Sequence, residues 1–89
     1  PADLPDTRAI ALFLDMLASE RGAAGNTLAA YGRDLAGASE ELGGRLTGAM
    51  LADLERLFAG WGTLAPATLA RKRSALRRFF GFLVLEGIR

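Results

Sequence analysis

The sequence predicts an all-α fold, a compact bundle of four helices, and three observations carry that prediction. Apolar residues recur at offsets of three, four and seven in four separate segments. Glycine or proline stands at the junctions between them, and no segment alternates apolar with polar residues as a half-buried strand would. A chain of 89 residues makes one small domain, which buries only about 60% of its unfolded surface. The predicted helices cover residues 7–20, 26–42, 48–60 and 66–86.

In the first segment Asp6 is the expected N-cap after Pro5, and Ile10, Phe13, Leu14 and Leu17 form the core stripe. Gly22 supplies its stop. The second starts at Asn26 or Thr27 and places Leu28, Tyr31, Leu35, Ala38 and Leu42 on one side. Gly32 and Gly37 each cost this helix about 1 kcal/mol relative to alanine, so packing has to hold it together, or the glycines admit another helix closely. Gly43 and Gly44 end it. Thr47 is the expected cap of the third segment, with Leu51, Leu54, Leu57 and Phe58 toward the core and Trp61 as a lid on the same side. Pro66 suits the first position of the fourth segment, where its missing N–H costs nothing. There Leu69, Leu76, Phe79, Phe80 and Leu83 share one arc; Arg71, Ser74 and Arg78 lie nearly opposite, with Arg77 beside them. Lys72 and Arg73 flank the apolar arc, their stems able to cover it, while Phe82 and Leu85 are expected to face outward toward a neighbouring domain or subunit.

Composition excludes much chemistry. The chain has no cysteine and no histidine, so disulfide frameworks, thiolate nucleophiles, zinc fingers and histidine-based triads fall away. No oxygen-rich calcium loop is present, and neither metal nor cofactor is expected. No apolar run approaches the roughly 18 residues of a membrane span, and the start, PADLPDTR, lacks the basic and apolar regions of a signal peptide. A cytoplasmic protein without membrane contact is expected. The end, FLVLEGIR, suits a fragment of something longer.

The net charge of +1 hides a partition. Residues 1–65 hold five basic against nine acidic residues, a balance of −4, and residues 66–89 hold six basic against one acidic, a balance of +5. Within the fourth helix, Arg73 and Arg77 form an unfavourable like-charge pair, and basic groups crowd the N-terminal half, where the helix dipole prefers anions. Phosphates would relieve both penalties and reach free N–H groups near Pro66, Ala67 and Thr68. An arginine there grips phosphate or reads guanine through its fork; Arg71 is the candidate for a base-proximal role and Arg78 for the backbone. The pattern alone leaves two readings open, contact with nucleic acid and a cationic face that meets only solvent. Tyr31 reads as a packing residue rather than a nucleophile. Asp53 and Glu55 project in different directions and have no partner suggesting paired-acid catalysis.

Two stretches, GNTLAAYGRDL at 25–35 and LAPATLARKRSALRRFFGFLVLEGIR at 64–89, resemble the N-terminal core-binding, SAM-like domain of tyrosine recombinases, particularly the Xer-type enzymes. FLDMLASERG at 13–22 fits as well, and the resemblance spans essentially the whole chain. It implies a four-helix SAM-like orthogonal bundle that forms one half of a clamp on double-stranded DNA, with the second and fourth helices crossing the major groove. Carried over residue by residue, the implied DNA contacts are Asn26, Thr27, Ala30 and Arg33 on the second helix and Ala67, Thr68, Arg71, Lys72 and Ala75 on the fourth, with Arg78 near the backbone. The three alanines offer only apolar contact, so shape readout gains weight.

In the family a separate C-terminal catalytic domain carries the arginine- and histidine-rich site and the tyrosine that forms a 3′-phosphotyrosyl link. This chain has no histidine, and Tyr31 lies in the wrong motif, so 1–89 is expected to bind DNA without cutting it. The resemblance further implies that catalytic domain and neighbouring recombinase protomers as partners, and a nucleoid-associated location when DNA-bound. Two other readings remain at this point: a helical protein-interaction module with a cationic surface, and a helix-turn-helix regulator using the third and fourth helices.

Overall fold

The computed structural model describes residues 4–20, 22 and 24–89; Arg21, counted in the charge balance above, lies outside them. Among the described residues four helices follow in order, α1 (Asp6–Ser19), α2 (Gly25–Glu41), α3 (Leu51–Gly60) and α4 (Pro66–Leu85). α1, α2 and α4 pack mutually on one another, and α3 contributes to the core mainly through Leu57 and the neighbouring Trp61. No helix among the described residues is long and apolar enough to cross a membrane.

Aromatic packing closes the centre. Phe13 and Phe79 are fully buried with ring centroids 5.5 Å apart, edge to face, and Phe82 lies 5.7 Å from Phe13. Edge-to-face pairs of this kind add about 0.5–1.5 kcal/mol beyond the area they bury. Leu17, Leu35, Leu46 and Leu83 complete the core. Gly32 lets α1 approach α2, since a Cβ there would stand 3.2 Å from Leu14 Cδ1; Gly37 has open space around it. α2 ends as its sequence predicts, with Gly43 and Gly44 at φ of 63° and 81°, and the Gly44 N–H donates to the Ser39 carbonyl at 2.8 Å.

Several local expectations are corrected. Asp6 is not a cap: it belongs to α1, is buried, and accepts from the Leu46 N–H at 2.8 Å, the Thr47 N–H at 3.0 Å and the Ser39 hydroxyl. Thr47 is therefore drawn into the α2–α3 connection, and α3 starts at Leu51, where the Met50 N–H donates to the Asp53 carboxylate at 3.0 Å. That hydrogen bond, ahead of the competing desolvation and assisted by Arg45 and Arg56, holds Asp53 below the ordinary carboxylate range. With Asp53 turned inward, Leu51 is 72% exposed and Phe58 40% exposed rather than core-facing.

α4 is rotated from its predicted setting. Its buried side runs through Ala75, Leu76, Phe79, Phe82 and Leu83, so Phe82 is core, whereas Leu85 is exposed as expected. Contact with two helices at once explains the rotation. Ala75 and Phe82, only about 20° apart on the helical wheel, fill the side that a reading by large apolar residues alone leaves out. At the far end Arg89 donates to the Thr47 carbonyl at 2.9 Å and to that of Ala49, and stacks 4.9 Å from the Phe80 ring centroid. The α2–α3 connection is thus held by a carboxylate from the first helix and a guanidinium from beyond the last.

Candidate nucleic-acid interface

The buried stripe of α2 contains Tyr31, Asp34, Leu35 and Ala38, so helical periodicity puts one carboxylate on the face that packs. Burying a charge is costly unless it is paired and hydrogen-bonded, and α4 supplies the partners. Arg71 donates through Nε at 2.8 Å and through Nη2 at 2.9 Å to the two Asp34 oxygens, and Lys72 Nζ lies 3.2 Å from Oδ1. Desolvation pushes the Asp34 carboxyl up, but the hydrogen bonds and charges of Arg71 and Lys72 outweigh it and hold the group below its ordinary value. Reciprocally, the hydrogen bond and charge of Asp34 raise the Arg71 guanidinium above its ordinary value. Lys72 is steadied a second time, 5.4 Å from the Trp61 ring centroid, and Trp61 is the buried lid the sequence predicts.

Next along the same contact, the Tyr31 hydroxyl meets the Ser74 hydroxyl at 3.0 Å. Further on, Arg78 shares a cleft with Thr27 and Leu28 and pairs with Glu20 at 3.4 Å. As residue numbers rise on α2 they fall on α4, so the two helices pass antiparallel and form a seam. Its Asp34 end is a tight bidentate fork around a buried acid. At its Glu20 end both side chains are about half exposed, and such surface pairs contribute about 0–1 kcal/mol.

The α4 face predicted to point away from the core therefore lies along α2. Arg71, Ser74 and Arg78 are seam residues, with the Arg71 side chain 40% exposed. Among the site residues expected from sequence, Asn26, Thr27, Arg33 and Ala67 are exposed, Ala30, Thr68 and Lys72 are half-buried, and Arg78 is exposed at the seam's end. The structure brings Thr27 together with Arg78, and Arg71 with Lys72. The expectation for Ala75 is corrected: it is wholly buried on the packed side of α4 and has no surface to offer a duplex. Among the described residues no ion pair holds Arg33, Arg73 or Arg77.

Asp34 is the residue sequence reasoning missed. Its signal was present, because an acid three positions after Tyr31 and four before Ala38 sits on the apolar stripe and demands a cation. No group of three or more acidic side chains capable of holding a metal occurs among the described residues.

Comparison with known proteins agrees with this architecture. Residues 10–87 match the family described as phage integrase, N-terminal SAM-like domain. The chain is 64% identical over 81 residues to the tyrosine recombinase XerC of Erythrobacter litoralis, covering 91% of this chain and 26% of the relative. It is 47% identical over 89 residues to the tyrosine recombinase XerD of Brucella abortus (91% and 28%) and 48% identical over 82 residues to that of Caulobacter vibrioides (86% and 27%). The chain thus spans about a quarter of the length of these curated relatives. No solved structure gives a significant match. With the family description covering nearly all of its four helices, the chain belongs to the phage integrase N-terminal SAM-like domains, closely related to those of the XerC and XerD tyrosine recombinases.

Proposed function

We propose that this domain binds double-stranded DNA along the α2–α4 seam, as the N-terminal half of a clamp in a tyrosine site-specific recombinase. The observation that carries the reading is the seam itself: one buried carboxylate is outnumbered by Arg71 and Lys72, leaving a cationic crossing. Arg33, Arg73, Arg77 and Arg78 add exposed charge on the same two helices. A major groove admits an α-helix, and each phosphate neutralised releases counterions.

In this role Asn26, Thr27, Ala30, Arg33, Ala67, Thr68, Arg71, Lys72 and Arg78 are the contact residues. Arg71 lies nearest the bases and Arg78 on the backbone. Strand cleavage and rejoining belong to a C-terminal catalytic domain of the whole protein, acting in DNA integration, recombination or chromosome dimer resolution. Neighbouring protomers are the proposed partners of the apolar end of α4, where Val84 and Leu85 are exposed. On this reading the protein works in the cytoplasm, on the nucleoid. A helix-turn-helix arrangement is not favoured, because α3 stands outside the principal helix packing.

The test is titration of the chain against a labelled recombination half-site and a scrambled duplex at two salt concentrations. Binding that weakens steeply with salt is expected; no binding even at low salt overturns the reading.

A further inference from the structure

The seam contains more order than charge attraction requires. A cationic surface needs only arginines in solvent, yet here a carboxylate, 5% exposed, is built into the core stripe of α2 beside the cation expected to lie closest to DNA. A tie between two helices needs no open donor edge, yet the Arg71 side chain remains 40% exposed.

The hydrogen-bond geometry shows what the carboxylate does to the fork. Guanidinium has five N–H donors in one plane. Asp34 takes one from Nε and one from Nη2, so the plane of the group is fixed. The three remaining donors, two on Nη1 and one on Nη2, lie on the edges away from Asp34, and the Nη1–Nη2 pair is itself a parallel fork of the kind that matches guanine O6 and N7 or two phosphate oxygens.

Resting on the DNA-binding reading above, we propose that Asp34 is a positioning residue for sequence readout, locking Arg71 by one edge so that its other edge is presented to a base pair in a single orientation. A long side chain fixed in advance loses little freedom on binding, and a wrong base meets a donor pair that cannot swing away to satisfy itself elsewhere. Lys72 completes the device. Held by Asp34 and Trp61, it over-compensates the carboxylate and keeps the crossing attractive to a polyanion.

The proposal separates itself from a merely structural role by the sign of two effects. Asp34→Asn removes a negative charge, which favours any duplex, while it frees Arg71, which harms only discrimination. A lost helix tie would weaken all binding together. The experiment selects short duplexes from a randomised pool with the wild-type chain, then measures the affinity of wild type and Asp34→Asn for the most enriched duplex and for its scrambled counterpart. The expected result is a fall in the preference ratio of about tenfold or more, with scrambled-duplex affinity unchanged or higher. An unchanged ratio, or a parallel loss on both duplexes, overturns the role of Asp34. Arg71→Lys, which keeps the charge and the Asp34 ion pair but lacks the fork, covers the case in which Asp34→Asn does not fold. It is expected to lose the ratio, and a retained ratio overturns the proposal. A wild type that binds neither duplex overturns the DNA-binding reading itself; a selective wild type with an equally selective Asp34→Asn overturns only the inference about Asp34.

Discussion

The two ends of the α2–α4 seam are built from the same chemistry, an arginine on α4 facing an acid, and behave differently. At one end Arg71 grips a buried carboxylate through two donors at 2.8 and 2.9 Å; at the other Arg78 touches Glu20 at 3.4 Å in solvent. Burial and bidentate geometry make the first a fixed group, whereas exposure leaves the second free to follow a partner. In a nucleic-acid-binding surface these are complementary properties. A base-reading group profits from being fixed, and a phosphate-gripping group profits from reach.

Substitutions separate the two ends from each other and from the rest of the fold. Asp6→Ala is the control away from the seam: it orphans the buried Leu46 and Thr47 N–H groups and is expected to cost about 2–4 kcal/mol of stability. Urea unfolding measures that loss, and the preference of the remaining folded chain among duplexes should not change. Arg71→Ala should flatten sequence preference about tenfold or more. It should also lower stability, by less than the loss of a fully buried pair because Arg71 is partly solvated. Arg78→Ala should weaken enriched and scrambled duplexes alike by a few-fold and reduce the salt slope by about one, with stability within about 0.5 kcal/mol of wild type. Equal losses of preference from both arginine substitutions would erase the distinction between the two ends.

The smallest effect is acid sensitivity. Because the folded Asp34 lies below its ordinary value of 3.8, the unfolded chain binds more protons in that range, and the seam stabilises the fold above it. This contribution should fade as pH drops from about 4 through the lower folded value. Unfolding measured across that range should show the fade in wild type and a smaller one in Asp34→Asn.

Four helices were legible because apolar spacing, Pro66 and the Gly43–Gly44 pair are local signals, and local signals set where helices begin and end. The orientation of α4 was not, because Ala75 carries too little apolar weight to mark a buried side that two neighbouring helices create together. Capping failed for a similar reason. Asp6 and Thr47 look like N-caps by position, yet long-range hydrogen bonds between them decide the conformation of the α2–α3 connection. The candidate site was half legible. The basic residues of α4 announce themselves in the charge partition, but the face they occupy depends on Asp34, a partner 37 residues earlier in the sequence. A charged residue on an apolar stripe is the cue that a distant counter-charge exists, though not which one.

Whether duplex DNA lies along the α2–α4 seam is read residue by residue in a chemical-shift titration of the isotope-labelled chain with a short duplex at low salt. Perturbed amides are expected at Asn26, Thr27 and Arg33 on α2 and from Ala67 to Arg78 on α4, with α3 from Leu51 to Gly60 left largely unchanged. Perturbations centred on α3, or spread evenly over the surface, would contradict that placement.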